Sequence, residues 1–81
     1  MFIKTEDGNL VGTKQDSHIY LKEYYHDEIF HPRKCVKIIC DDMVLKTYKN
    51  INSQIRNIEN AKYDLLKIFQ ALKNNVETYE I

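Results

Sequence analysis

The chain has no tryptophan, one proline, two glycines and two cysteines in 81 residues, and each scarcity excludes something. So few breakers rule out a collagen-like repeat or a flexible Gly/Ser linker, and 43% hydrophobic residues are too many for a disordered segment. Two isolated glycines, Gly8 and Gly12, cannot build a glycine-rich phosphate cradle at a helix start. An excess of one charge is also missing: 12 Lys and Arg balance 12 Asp and Glu, so no overall field draws in nucleic acid or an anionic membrane. No window approaches the ~18 uncharged apolar residues of a membrane-spanning helix, and the opening Met1–Asp7 is acidic where an export signal needs an unbroken apolar run. The expectation is one cytoplasmic domain over residues 1–81, since the chain is too short for two.

Hydrophobic periodicity divides the chain into two halves. Phe2 to Thr5 and Leu10 to Val11 read as short strands about an Asp7-Gly8 turn. His18 to Tyr25 reads as a third strand, with Ile19, Leu21 and Tyr25 on one face and Tyr20, Lys22 and Tyr24 on the other. Residues 26–33 form a loop, because Pro32 cannot donate within a central strand. Cys35 to Cys40 follows with Val36, Ile38 and Cys40 inward, then an Asp41-Asp42 turn and a strand from Met43 to Tyr48. Short connections without helices predict an antiparallel meander of about five strands over 1–48.

From residue 51 the period changes to that of an amphipathic helix, with Ile51, Ile55, Ile58, Ala61, Leu65, Ile68 or Phe69, and Leu72 inward. Arg56, Glu59, Lys62, Lys67, Gln70 and Lys73 face out. The helix spans 51–74, starting either at Ile51 or later with Asn57 as its cap, and Asn74-Asn75 stops it. Residues 76–81 then return as a short edge strand. The fold class is α+β, an antiparallel meander with one long C-terminal helix packed on one face.

Side chains able to do chemistry are scattered. His26, His31, Cys35 and Cys40 are the best metal set, but zinc pairs its ligands at C-x2-4-C and H-x3-5-H spacings, and cysteines five apart in a strand point to opposite faces. The same divergence argues against a disulfide and for reduced core thiols. The acid pairs Glu6-Asp7, Asp27-Glu28 and Asp41-Asp42 fall at turns, where such residues cap the backbone. Ser17 and Ser53 lack a nucleophile elbow. Neither a metal nor another cofactor is expected, and the chain reads as a non-enzyme.

Binding by shape is the reading left. Tyr20 and Tyr24 lie on the strand face that one helix cannot cover, and Ile51 and Ile55 extend the helix stripe beyond its sheet; these four are the expected contacts to a protein partner, including a second copy. Tyr25, Tyr48 and Tyr63 are expected at core edges with wet hydroxyls. The alternative is a nucleotide or single strand held by His31, Arg33, Lys34 and Lys37, basic groups near aromatics. Residues 1–30 carry a net charge of −3 and 31–81 a net charge of +3, which polarises the molecule.

Ile, Lys, Asn and Tyr supply 33 residues, a bias of A- and T-rich codons that fits a low-GC bacterial or phage genome. Met1-Phe2-Ile3-Lys4-Thr5 with Leu10-Val11, Ile19-Tyr20-Leu21, Val44-Leu45-Lys46-Thr47-Tyr48, the helix with Ala61, Leu65, Ile68 and Ala71-Leu72, and the closing Tyr79-Glu80-Ile81 resemble small phage and prophage proteins of low-GC Gram-positive bacteria. Residues 50–57 and His31-Pro32-Arg33 depart from that pattern. The resemblance implies a sheet with a terminal helix and a phage setting, in which blocking a host or defence factor is one concrete role, and it brings no activity with it.

Overall fold

Strands β1 (Phe2–Lys4) and β2 (Leu10–Gly12) pair antiparallel, with Ile3 opposite Val11. The Gly8 N–H donates to the Thr5 carbonyl at 3.0 Å and the Thr5 N–H to the Asn9 carbonyl at 2.8 Å. In this loop only Gly8 takes a positive φ, +85°, which makes a type I turn followed by a left-handed glycine. The computed structural model describes residues 1–14, 16–26, 33–49 and 54–81, with His26, Arg33, Gln54 and Ile55 placed by backbone alone.

Strands β3 (Ile19–His26), β4 (Arg33–Cys40) and β5 (Met43–Tyr48) form a second sheet in the order β3-β4-β5. Both pairings are antiparallel, and Leu21 faces Ile38 in the first of them. Asp41 and Asp42 alone join β4 to β5, both at positive φ, +46° and +72°, the geometry of a two-residue type I′ turn that Asn-Gly usually occupies. Asp41 tolerates it because it is hooked to the start of β3. Its N–H donates to the His18 carbonyl at 3.0 Å, and its carboxylate accepts from the His18 N–H at 2.9 Å.

Helix α1 (Gln54–Lys73) crosses β3-β4-β5, and β6 (Thr78–Glu80) then returns beside β1. The single five-stranded meander is therefore corrected to two three-stranded sheets, β2-β1-β6 and β3-β4-β5. β6 runs parallel to β1, a pairing that the intervening chain and α1 carry as a crossover. The α+β class, the long helix and the final edge strand stand as expected. One apolar cluster runs through both sheets: Ile3 and Val11 from one, Ile19, Val36, Ile38, Cys40, Leu45 and Tyr48 from the other, Ala61 and Ile68 from α1.

A bulge at Ile38/Ile39 turns Leu45 into this core and frees its carbonyl, which accepts from the Glu6 N–H at 3.1 Å and so ties the hairpin loop to β5. The helix ends in a Schellman motif. Asn75 takes φ +55°, its N–H donates to the Leu72 carbonyl, and the Val76 N–H donates to the Ala71 carbonyl.

Asn57 is not a cap. It lies inside α1, the fourth residue of the helix, buried, with its side-chain amide donating to the Lys34 carbonyl at 3.3 Å. The alternative start at Ile51 lies outside the described residues.

Replacing Asp42 by Gly removes the left-handed strain at φ +72° and should stabilise the fold by about 0.5–1 kcal/mol, a rise of a few degrees in melting temperature by calorimetry. An unchanged or lower value would show that the Asp42 side chain compensates for its own backbone.

Candidate functional site

The inward side of α1 is as the periodicity requires: Ala61, Ile68 and Ala71 are buried, with Ile58, Leu65 and Leu72 packed beside them. The opposite side carries the polar residues expected there, Arg56, Glu59, Lys62, Lys67, Gln70 and Lys73, all exposed, and apolar ones among them. Tyr63, Leu66 and Phe69 are 59, 55 and 45% exposed, and at 100° per residue they lie within about 60° of one line centred on Leu66. Glu59, Lys62, Gln70 and Lys73 flank them, all exposed. The Lys67 ammonium sits 4.4 Å from the centre of the Tyr63 ring, holding that ring along the helix.

Beyond Phe69 the apolar surface continues into an open groove of about 720 Å³ between the end of α1, β1 and the start of β3. Met1, Phe2, Ile19, Leu72 and Val76 contribute its apolar walls, and Lys14, Ser17 and Glu77 part of its rim. Phe2 rests against Gly12 and is still 54% exposed. Sequence reasoning placed Tyr63 at a core edge, left Phe69 as an alternative to Ile68, and passed over Leu66, Phe2 and Val76. The signal that could have found the helix face is the spacing 59, 62/63, 66, 69/70, 73, a second heptad line opposite the buried one.

The other open surface is the side of β3-β4-β5 away from α1. Tyr20 and Tyr24 share it, as expected, both half-buried. The Tyr20 ring meets His18 at 4.6 Å between centroids, tilted by 57°, and the Lys37 ammonium lies 4.6 Å from the centre of the Tyr24 ring. The Tyr24 hydroxyl is buried and, among the described residues, has no hydrogen-bond partner. Burial first, then the Cys35 thiol opposite it in β4, raises its pKa. Lys22 and Lys37 stand directly opposite one another between the two tyrosines.

The other expected contacts divide. Lys34 is on the helix side of β4, its ammonium 2.9 Å from Glu23 Oε2, whereas Lys37 is on the open side. The structure does not bring these two lysines together. Arg33 and Ile55 are placed in β4 and α1 by backbone, and His31 and Ile51 lie outside the described residues.

Neither cysteine is poised for chemistry. Both are buried thiols, and they lie on opposite faces of β4, Cys40 in the core. Burial, followed by the neighbouring Asp41 charge, raises the Cys40 pKa and keeps it a thiol. Among the described residues no three His, Cys, Asp or Glu side chains converge to hold a metal. Asp41, lowered by hydrogen bonds from the His18 backbone and Ser17, is engaged in its turn. Tyr25 is mostly exposed rather than at a core edge.

Tyr48 is buried and its hydroxyl is not wet. It donates to Asp64 Oδ2 at 2.5 Å, and Lys46 closes on the same oxygen at 3.7 Å. This clasp sets the rotation of α1 on the sheet and therefore which helix face points outward. Compared with known protein families, curated proteins and solved structures, the chain matches none.

Tyr48→Phe should cost about 1.5 kcal/mol of unfolding free energy in urea, with little loss of packing. Burial, then Asp64, raises the Tyr48 pKa well above its ordinary value. Its contribution is thus fully present below about pH 10, the unfolded phenol value, and lost progressively as pH rises beyond it. Melting temperatures from pH 8 to 10.5 should fall more steeply for the wild type than for Tyr48→Phe; parallel curves would remove this role.

Proposed function

We propose that this chain is a non-catalytic protein-binding protein that associates with a second copy of itself through the outer face of α1. The observation that carries the reading is the line of Tyr63, Leu66 and Phe69, exposed on the side of the helix turned away from the core. A surface helix of a monomer normally offers water a polar face, and contiguous exposed apolar side chains mark interfaces. Chemistry contributes nothing comparable, since the thiols are buried and the Asp41 carboxylate is engaged with the His18 backbone. In the phage setting that the sequence resemblance implies, a small self-associating binder acts by occluding a host or defence factor.

Light scattering from about 10 µM to 1 mM should report a mass that climbs from monomer to dimer. Leu66→Glu should hold the protein monomeric throughout with its circular dichroism unchanged. A concentration-independent monomer would overturn the reading. If Tyr20→Ser with Tyr24→Ser abolishes the dimer while Leu66→Glu does not, the interface is the open sheet face.

A second reading has its own observation. Two lysines directly opposed across strands repel, and Lys22 and Lys37 do so between Tyr20 and Tyr24, an arrangement that a phosphate and two stacked bases would relieve. A fluorescent 20-residue oligothymidine should then bind at 50 mM salt and be released by 200 mM. Absence of binding at 50 mM salt dismisses it.

A further inference from the structure

We infer that the dimer is antiparallel, with its two-fold axis at Leu66 and each Glu59 facing Lys73 of the second copy. This rests on the self-association proposed above and specifies its geometry. Glu59 and Lys73 lie seven residues before and after Leu66 in α1, so both fall within about 20° of its direction and roughly 10 Å along the axis on either side. Reversing one helix against another about Leu66 superposes these heights. The acid of one copy then meets the base of the other, twice per dimer. Tyr63 and Phe69, three residues before and after, come side by side across the seam and flank a central Leu66 pair. Lys62 and Gln70, four before and after, share the next layer.

Charge decides the orientation. A parallel pair in the same register sets Glu59 against Glu59, Lys62 against Lys62 and Lys73 against Lys73, three like-charge layers where the antiparallel pair makes two attractive ones. Among the described residues neither Glu59 nor Lys73 is held in an ion pair within its own chain, so both are available across the seam. The aromatic layer is suited to the same arrangement, because offset or edge-to-face contacts form when rings meet side by side.

The interface is small. Three partly exposed apolar side chains per copy fall short of the ~800 Å² that a standard interface buries on each partner, and a dissociation constant on the order of tens of micromolar is expected. The open groove beyond Phe69 lies outside the symmetric seam.

Two experiments on the full chain test the orientation. Glu59→Lys should weaken dimerisation by about tenfold, since it turns two attractive pairs repulsive. Adding Lys73→Glu to it should restore the wild-type constant; a double variant no tighter than the single one overturns the inference. Glu59→Cys and Lys73→Cys, mixed and oxidised gently, should give the mixed disulfide in preference to either like pair, read by mass. Predominant like pairs overturn the antiparallel axis while leaving self-association intact. A wild type that stays monomeric by light scattering overturns both.

Discussion

The structure depends on one apolar cluster shared between two sheets, the smaller of which cannot stand alone. β1, β2 and β6 have three residues each, and sheets this small are not stable in water without something to pack against. Ile3 from the smaller sheet and Ile68 from the helix are fully buried in this cluster, as Ile38 and Leu45 are from the larger sheet. At roughly 1.5–3 kcal/mol for each fully buried large aliphatic, these side chains supply what the short strands lack. The hydrogen bond from Glu6 to the freed Leu45 carbonyl joins the sheets in polar terms as well.

Core and surface are coupled through the rotation of α1. Its buried line contains two alanines, Ala61 and Ala71, which let the helix approach the sheet closely. Asn57 and Asp64 lock that approach, one to the Lys34 carbonyl and the other to Tyr48. Rotating the helix by half a turn would bury Leu66 and expose Ile68, and would leave both polar contacts unmade. The exposure of Tyr63, Leu66 and Phe69 is therefore enforced by specific bonds on the opposite side. That is the physical basis for treating them as an interface.

Much of the fold was legible in local pattern. Alternation marked β3 and β4 and assigned Tyr20 and Tyr24 to the face away from the helix, because side chains on a strand alternate. The Asn74-Asn75 stop is the Schellman terminus, since Asn tolerates the left-handed region that a helix end requires. The division into two sheets was not legible. It turns on β6 pairing with β1 from the far end of the chain and on a bulge at Leu45, neither of which leaves a local signature. The candidate site was half legible. The open-face tyrosines followed from alternation, but Leu66 and Phe69 were hidden because the helix carries two apolar lines and periodicity alone does not say which is buried.

By itself, then, the sequence determined the α+β class, the strand faces, the helix stop and the separation of the cysteines to opposite sides of a strand, because each follows from backbone periods of 2 and 3.6 that act over a few residues. Tertiary structure decided the sheet partition, the conversion of Tyr48 into a buried donor, and the helix face left to water. These rest on contacts between residues far apart in the chain, where one apolar line wins the core only because Asn57 and Asp64 find partners there.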